Sequence, residues 1–289
     1  MNKIGVIYLS YVPYGVSYFA NFLESYTQHE SGNSHSLVIV FNGFANQDEL
    51  APFIKLINSY SINHELVFAK SKFDIDVYYY MATRYNMFSF LVFLNTYSVI
   101  LSDNWLKYFY KNLTQKNVGC VSATGSWGDF RHKDDYWSAV NRLKKFNFRL
   151  ADIKKIIYFK YNFYPSVGVH LRTNAFMISR ELFLSIKRPK VRPFILSYLF
   201  GLNAKKLRSF CFEHGNNNFS KQLLDRGYLI QIVDKFGNGK NIEDWSSSNI
   251  YWNGTQENLL IKDNQTSKFE MANPSEKKLM RYAAWNIKD

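Results

Sequence analysis

Cysteine is scarce in this chain of 289 residues, which has only two. Cys120 and Cys211 both lie among apolar neighbours. This scarcity excludes a disulfide framework and a cysteine-based metal site, and it fits a reducing cytoplasm.

Long apolar runs are also missing, although 47% of the residues are hydrophobic. No run approaches the roughly 20 residues of a membrane-spanning helix. The apolar run at the N-terminus is too short for the core of a signal peptide. The sequence therefore predicts a cytoplasmic protein, whose membrane contact is peripheral and at the inner face of the cytoplasmic membrane.

Acidic residues are few beside the basic ones, since 23 Asp and Glu against 36 Lys and Arg leave a formal net charge of +13. Nucleic acid, anionic lipid and a phosphorylated substrate are all partners that such a charge favours. Aromatic residues are abundant, with 21 Tyr and 25 Phe. Their mixture with basic residues suits a membrane interface or a sugar-binding site.

The first half of the chain alternates between short β-branched runs and helical patterns. Strands are predicted at 3–10, 36–41, 65–69, 88–94 and 118–122, and helices at 16–26, 48–60, 74–85 and 104–113, with Asp48 and Asp103 as helix caps. This alternation predicts an α/β fold with a mostly parallel, doubly wound sheet. In such a sheet, ligands bind at the carboxyl ends of the strands.

The second half is less regular. Strands are predicted at 170–179 and 228–233 and helices at 181–186, 193–210 and 218–227, and the tail after residue 236 is rich in Asn, Ser and Gly. Because neither an internal repeat nor a low-complexity linker interrupts the chain, residues 1–289 are predicted to form a single domain.

Several motifs, in their order, resemble those of the GT-A glycosyltransferases related to family 2. They are the early strand-helix-strand unit, the Asn42-Gly43 turn, residues 73–78, the strand before Asn95-Thr-Tyr-Ser98, and residues 103–106. The later segments 118–127, 170–180, 212–215 and 263–266 resemble a bacterial branch of that group. The resemblance spans most of the chain.

The resemblance implies a GT-A fold, in which a mostly parallel sheet is flanked by helices and accompanied by a basic helical acceptor-side region. It implies a nucleotide-sugar-binding half at 1–126, an acceptor and catalytic half at 127–235, and a C-terminal extension at 236–289. The expected reaction moves a sugar from a nucleotide sugar, a UDP-sugar first, to a glycan or lipid-linked acceptor of the cell envelope, as in polysaccharide or lipopolysaccharide assembly. The resemblance to family 2 favours inversion.

The donor is expected at the carboxyl ends of the first strands, near Ser10, Asn42, Asp74 or Asp76, Asn95 and Tyr97. On the resemblance, an acidic residue at 74 or 76 contacts the base or ribose. Both aspartates also precede a predicted helix, so capping is an equally good interpretation, and their Asp-x-Asp spacing leaves metal binding as a third.

In this family the strand that matches 88–94 ends in Asp-x-Asp, whose carboxylates hold Mg²⁺ or Mn²⁺ against the donor diphosphate. Here the matching residues are Asn95, Thr96 and Tyr97. The expected carboxylates are missing, and the sequence predicts that a metal contributes less than usual. Asn95 is interpreted as a ligand of the ribose or the diphosphate, or else as a turn residue.

Glu213 is the predicted catalytic base. In family 2 enzymes an acidic residue just before a helix deprotonates the acceptor hydroxyl, and Phe212-Glu-His-Gly215 stands at the matching place. One positioned carboxylate suffices for this role. His214 is the competing base, and a helix cap or a salt bridge is the structural alternative for Glu213.

Arg172, Asn174 and His170 are predicted to serve the phosphate or the acceptor. Without a metal, cationic side chains must stabilise the charge on the leaving nucleotide, and Arg suits bidentate phosphate contact. A surface salt bridge remains an alternative for Arg172 and a structural hydrogen bond for His170. No zinc site is predicted, because no second ligand stands at the required spacing from His170.

Two basic, aromatic segments, 142–161 and 187–208, are predicted to lie on an anionic membrane surface. The alternative is a solvated cationic helix face. The same composition leaves single-stranded nucleic-acid binding as a competing function, but no nucleic-acid-binding motif is found and no nucleic-acid partner is predicted. A non-catalytic GT-A-like scaffold is the third possibility, because Asp-x-Asp is missing.

Overall fold

A computed structural model of the protein describes residues 3–70, 73–128, 135–147, 149–150, 152–153, 156–157, 168–188 and 204–286. The strands of the described residues are β1 (Ile4–Tyr11), β2 (Ser36–Asn42), β3 (His64–Ala69), β4 (Phe90–Leu94), β5 (Val99–Ile100), β6 (Val118–Ser122), β7 (Gly125–Ser126), β8 (His170–Leu171), β9 (Ala175–Ser179), β10 (Leu229–Val233), β11 (Gly239–Lys240) and β12 (Ile261–Lys262).

The helices of the described residues are α1 (Val16–Gln28), α2 (Ala51–Asn58), α3 (Asp74–Arg84), α4 (Trp105–Leu113), α5 (Asp135–Lys144), α6 (Arg180–Ser185), α7 (Ala204–His214), α8 (Phe219–Leu224), α9 (Asn264–Met271) and α10 (Pro274–Trp285).

Within the described residues, an eight-stranded sheet runs in the order β11-β10-β6-β9-β4-β1-β2-β3. The neighbours β3, β2, β1 and β4 are parallel, as are β6 and β10. β9 lies antiparallel between β4 and β6. Two small ribbons, β5 with β12 and β7 with β8, stand apart. The predicted mostly parallel central sheet is confirmed.

Helices cover both faces of this sheet, which explains why its central strands are apolar on both sides. In β1, all residues but the last are buried. One face packs against α1, α2 and α4 through residues such as Phe22, Phe53 and Phe109. The other packs against α3, α6 and α8 through residues such as Tyr78 and Phe183. The predicted α/β architecture with flanking helices is confirmed.

Some local predictions were wrong in an informative way. Residues 170–179 form two short strands, β8 and β9, because residues 172–174 make a turn between them. Asp48 and Asp103 do not cap helices with their side chains. Asp103 instead accepts hydrogen bonds from the ring of His29 and the backbone N–H of Glu30, both at 3.1 Å, because that loop packs against the start of α4.

The polar C-terminal tail is folded. β12 pairs with β5, and capping boxes begin both α9 and α10. The indole of Trp285 donates a hydrogen bond of 3.1 Å to the Tyr251 carbonyl, and the backbone N–H of Trp127 donates one of 2.9 Å to Ala284. The tail therefore packs beside the loops that follow the central strands.

The two basic segments predicted to lie on a membrane surface are 142–161 and 187–208. Large parts of both lie outside the described residues. In the part of the chain that is described, no helix is long and apolar enough to cross a membrane.

Candidate active site

The sheet changes direction of winding between β1 and β4. β1 pairs with β2 on one side and with β4 on the other, and the chain reaches β4 only after β2 and β3. A crevice at the carboxyl ends of strands forms at such a switch point. Here those ends are Ser10 and Tyr11 on β1 and Leu94 on β4.

The turn after β4 uses its polar groups to hold its own backbone. The Asn95 side-chain oxygen accepts from the N–H of Tyr97 at 3.1 Å and from the Ser98 hydroxyl at 3.3 Å. The Thr96 hydroxyl donates to the Leu9 carbonyl at 2.8 Å and accepts from the Tyr11 N–H at 2.9 Å. These bonds fasten the end of β4 to the end of β1.

A divalent cation does not fit this turn. Its residues supply no carboxylate, and the side-chain oxygens of Asn95 and Thr96 already bind the backbone. In the described part of the chain, no group of three or more His, Cys, Asp or Glu side chains is placed to hold a metal ion. Mg²⁺ and Mn²⁺ both prefer several oxygen ligands, carboxylates above all.

Buried polar atoms without partners lie beside the switch point. Ser10 and Asn42 are 1% and 0% exposed, and neither the Ser10 hydroxyl nor either amide atom of Asn42 has a hydrogen-bond partner among the described residues. Tyr11 pairs with Asn42 across the parallel strands β1 and β2. Since an unmade buried hydrogen bond costs about 1–3 kcal/mol, such groups suit a ligand that supplies the partner.

Four tyrosines contact one another at the same edge. Tyr11 and Tyr14 have ring centroids 4.8 Å apart, and Tyr97 lies 5.2 Å from Tyr14 and 4.8 Å from Tyr18. Tyr14 and Tyr18 are exposed. This tyrosine cluster gives the crevice a wall of aromatic rings with hydroxyl groups, surfaces that bind planar bases and sugar rings.

The turn at residues 172–174 is fixed to this edge from several sides. The N–H of Arg172 donates to the Thr124 carbonyl at 3.1 Å, and the Asn174 carbonyl accepts from the N–H of Asn95 at 2.8 Å. The Asn174 side-chain oxygen accepts from the Thr124 hydroxyl at 3.0 Å, while its amide nitrogen has no partner in the described residues. The turn at 172–174 thus lies directly beside the turn after β4.

The Arg172 side chain packs against two residues of the C-terminal tail. Its Nη2 lies 2.9 Å from the Asp263 carboxylate, and its guanidinium lies 4.5 Å from the centroid of the Tyr251 ring. Burial disfavours its charge, but Asp263 and other anionic neighbours outweigh that effect and raise its pKa. Nη1 is buried without a hydrogen-bond partner in the described part of the chain. One arm of the guanidinium is therefore held by Asp263, and the other carries a buried donor whose hydrogen bonds are unmade among the described residues.

Glu213 is the second fixed charge. It lies at the end of α7, and its Oε1 accepts from both the N–H (2.7 Å) and the hydroxyl of Thr173. Its side chain is 24% exposed, so solvent reaches it. Burial acts to raise its pKa, but His214, Arg172 and Thr173 together hold that pKa well below its usual range. The carboxylate is ionised at neutral pH, as an acceptor of a proton must be.

Two histidines complete this group. The Nε2 of His214 lies 3.4 Å from the second Glu213 oxygen, and the rings of His214 and His170 meet edge to face with centroids 4.0 Å apart. Nδ1 of His170 lies 2.7 Å from the Gly168 carbonyl. Burial, and then the charge of His214, lower the pKa of His170 and keep it neutral. His214 therefore lies in contact with both His170 and the Glu213 carboxylate.

Asp74 faces the same group from α3. The residue is exposed to solvent, but neighbouring protein atoms crowd its carboxylate. Desolvation and then the negative charge of Glu213 raise its pKa to about 6. Asp74 and Asp76 both lie in the first turn of α3, but neither caps it with its side chain. Within the described residues, no ion pair or hydrogen bond joins the Asp76 side chain to the group.

The fold thus brings the predicted residues to one edge of the sheet. Within the described part of the chain, the side chains of Ser10, Asn42 and Asp76 form no hydrogen bond or ion pair with the others. Sequence reasoning assigned no role to Thr173, Asp263 or Tyr251, although they fix Glu213 and Arg172. The Asp263-to-Thr266 pattern signals a helix start, but no local signal reveals its partner 91 positions earlier.

No protein-family model matches this chain, and no curated protein matches it in sequence. Among solved structures, 4-diphosphocytidyl-2C-methyl-D-erythritol synthase of Anaerococcus prevotii is similar at 11% identity over 80% of this chain and 88% of the other, with a TM-score of 0.42. Mouse xyloside xylosyltransferase 1 is similar at 11% identity over 81% and 86%, with a TM-score of 0.43. A mannosyltransferase of Pyrobaculum calidifontis, solved with GDP-Man and Mn²⁺, is similar at 11% identity over 86% and 60%, with a TM-score of 0.42. These similarities are of overall fold, at low sequence identity.

Proposed function

We propose that this protein is a glycosyltransferase that moves a sugar from a nucleotide sugar to a hydroxyl group of a cell-envelope glycan or lipid-linked acceptor. The observation that carries the proposal is the convergence of an ionised Glu213 and an Arg172 at the strand edge where Ser10 and Asn42 lie. Among the described residues, Nη1 of Arg172 and the side chains of Ser10 and Asn42 have no hydrogen-bond partner. The motif resemblance found in the sequence supports the same reaction.

Each group has a role in this scheme. Ser10 and Asn42 bind the nucleoside, the tyrosine cluster packs against it, and Asp74 contacts its base or ribose. Arg172 binds the diphosphate, where a cation stabilises the charge that develops as the nucleotide leaves. Asn174, through its free amide nitrogen, donates a hydrogen bond to the donor or the acceptor.

The reaction is a single displacement with inversion. The acceptor oxygen attacks the anomeric carbon, and the bond from that carbon to the diphosphate oxygen breaks with its electron pair on the diphosphate. The hydroxyl proton passes to Glu213, whose ionised state and access to solvent suit a general base. His214 then shares this proton, because its ring lies beside the second oxygen of the same carboxylate.

Donor binding is tested by calorimetry with UDP-sugars and GDP-sugars on the wild type, Asn42→Leu and the exposed control Asn58→Ala. The Asn42 side chain has no hydrogen-bond partner among the described residues, so Leu is expected to leave the melting temperature unchanged or raise it. Losing the bonds to a donor is expected to weaken its binding roughly tenfold. Absence of nucleotide-sugar binding by the wild type would favour a non-catalytic scaffold, and selective binding of single-stranded RNA would favour the nucleic-acid alternative.

We also propose that the basic segments 142–161 and 187–208 attach the protein to the inner face of an anionic membrane. Phe146 and Leu150 are 91% and 67% exposed beside Arg142, Lys144 and Lys145. Exposed apolar groups among cations suit the headgroup region of a bilayer. The protein is expected to sediment with phosphatidylglycerol vesicles at low salt, and Phe146→Ser to weaken this binding. A protein that stays in the supernatant under these conditions contradicts the proposal.

A further inference from the structure

A cavity of about 750 Å³ lies behind the tyrosine cluster, on the α1 side of the molecule. One wall is a face of α1, the floor is β5 with the residues around it, and the other wall is β12 and the face of α9 that carries Asn264, Ser267 and Met271. The lining residues on α1 follow helical spacing and extend from Tyr18 to Gln28, and His29 follows directly after the helix. Eleven residues at 1.5 Å each make this wall roughly 17 Å long, enough for several sugar rings in a row.

The cavity adjoins the candidate active site at two residues. Tyr97 lines the cavity and also belongs to the tyrosine cluster at the crevice. Asp263 lines it and also forms the ion pair with Arg172. A chain lying in the cavity therefore begins next to the reacting groups.

The charge of this cavity contrasts with that of the whole protein. Its ionisable lining residues are Glu24, His29, Lys262 and Asp263. Three of them have charged partners of their own, since Lys262 pairs with Glu270, His29 with Asp103, and Asp263 with Arg172. Glu24 forms no ion pair within the described residues. In a protein of net charge +13, this cavity is neutral to slightly acidic and disfavours phosphates and nucleic acid.

The remaining lining suits hydroxyl groups and sugar faces. Asn21, Gln28 and Ser267 offer amide and hydroxyl groups along its length, and Tyr18 and Tyr97 offer aromatic rings at the end near the active site. A few placed polar groups among apolar surface are typical of a small-molecule site. Leu101 and Met271 supply that apolar surface.

We propose that this cavity binds a neutral oligosaccharide, as the subsite for the sugars of the acceptor that precede the reacting hydroxyl. This inference rests on the proposed glycosyltransferase function and specifies its acceptor as a chain of several uncharged sugars. Glu24 and the side-chain amides bind hydroxyl groups, and the rings of Tyr18 and Tyr97 pack against a sugar face.

The test is an array of immobilised neutral oligosaccharides built from hexoses and N-acetylhexosamines, with sulfated and phosphorylated chains included, probed with the full chain. The blocking variant is Asn21→Trp, which fills the cavity from α1, and its matched control is Asn58→Trp on the exposed end of α2. The wild type and Asn58→Trp are expected to bind neutral chains, and Asn21→Trp to bind them roughly tenfold more weakly or worse. Gln28→Ala and Glu24→Ala, which only remove side-chain atoms, are expected to weaken binding in the same direction should Asn21→Trp not fold.

Three results overturn the proposal: no neutral chain is bound, only anionic chains are bound, or Asn21→Trp and the two alanine variants bind as the wild type does. Binding of a UDP-sugar, measured separately by calorimetry, distinguishes this failure from failure of the proposed function. Oligosaccharide binding without any nucleotide-sugar binding would refute the transferase and leave a glycan-binding site. Nucleotide-sugar binding without oligosaccharide binding would refute the cavity alone.

Discussion

Two turns at the same edge of the sheet use their polar residues in opposite ways. In the turn at 95–98, Asn95 and Thr96 bind their own backbone and the end of β1. In the turn at 172–174, Arg172 and Thr173 hold charged groups from the tail and from α7. The first turn is closed by these bonds and carries no charge. The charged groups are held instead by the second turn, at 172–174. The proposed chemistry therefore depends on a cation, Arg172, and a base, Glu213, that are fixed by other side chains.

The largest effect is expected at Glu213. Glu213→Gln keeps the size of the side chain and an oxygen for Thr173 but cannot take a proton, so turnover should fall on the order of 10²–10⁴-fold. Donor affinity, measured by calorimetry, should barely change. Glu181→Gln, on an exposed part of α6, is the control. Near-normal turnover in Glu213→Gln would mean that the base is another residue, and His214→Ala is then the next variant.

Arg172→Lys is expected to have the next largest effect. Lys keeps the positive charge beside Asp263 but lacks the planar fork, so it cannot bind Asp263 and a phosphate together. Removing one such stabilising contact should lower kcat on the order of 10²–10³-fold, with a smaller change in donor affinity.

The control for this experiment is Arg226→Lys, because the Arg226 side chain is exposed and hydrogen-bonds to Ser185, away from the candidate site. A melting temperature near that of the wild type would show that Arg172→Lys still folds around Asp263. Unchanged turnover in that folded variant would contradict the role of Arg172 in binding the diphosphate.

A smaller effect is expected on the pH dependence of stability. The fold raises the pKa of Asp74 from its ordinary 3.8 to about 6, so the folded protein holds this proton more tightly than the unfolded chain. Ionising Asp74 therefore lowers the free energy of unfolding as the pH rises from about 4 to about 6. Asp74→Asn should melt above the wild type at neutral pH and close to it near pH 4.

Solvent access to Asp74 keeps this difference modest. Asp76→Asn controls for the loss of a carboxylate from the first turn of α3, where it stabilises the helix. Glu213→Gln should reduce the difference, since the Glu213 charge is one of its causes. A gap between the melting temperatures that does not vary with pH would contradict the proposed closeness of the two carboxylates.

The smallest effect is expected on removing divalent cations. Turnover should survive EDTA, because the turn after β4 has no carboxylate and its side-chain oxygens are engaged. Asn95→Asp should remain unstimulated by manganese, since its carboxylate would bind the same two groups of the turn. Complete loss in EDTA that manganese restores would place metal ligands elsewhere, with Asp74 and Asp76 the first to examine.

The sequence predicted the sheet strands well because their pattern is local. A buried parallel strand such as β2 shows as a continuous apolar run between polar turns. The predicted strand at 36–41 ends within one residue of the observed end of β2. The caps were predicted poorly. Asp48 and Asp103 have the right chemistry beside a helix, but tertiary packing decides which backbone N–H a carboxylate meets.

The site shows the same division. Glu213 and Arg172 could be proposed from the sequence because their motifs resemble a family's, and the turn residues Asn42 and Asn95 because they follow predicted strands. The residues that hold Glu213 and Arg172 in place could not be predicted from the sequence. Asp263 lies 91 positions after Arg172, in a tail whose composition resembles a loop, and Thr173 lies 40 positions before Glu213.

By itself the sequence determined the alternation of strands and helices, the excess of positive charge and the absence of carboxylates after β4, because each of these is a property of neighbouring residues. Only the tertiary structure decided that Arg172 is paired by Asp263 and stacked on Tyr251, that Thr173 fixes Glu213, and that a neutral cavity opens behind Tyr97. The physical reason is that burial, pairing and pKa depend on distances in space, and a folded chain sets those distances between residues far apart along it.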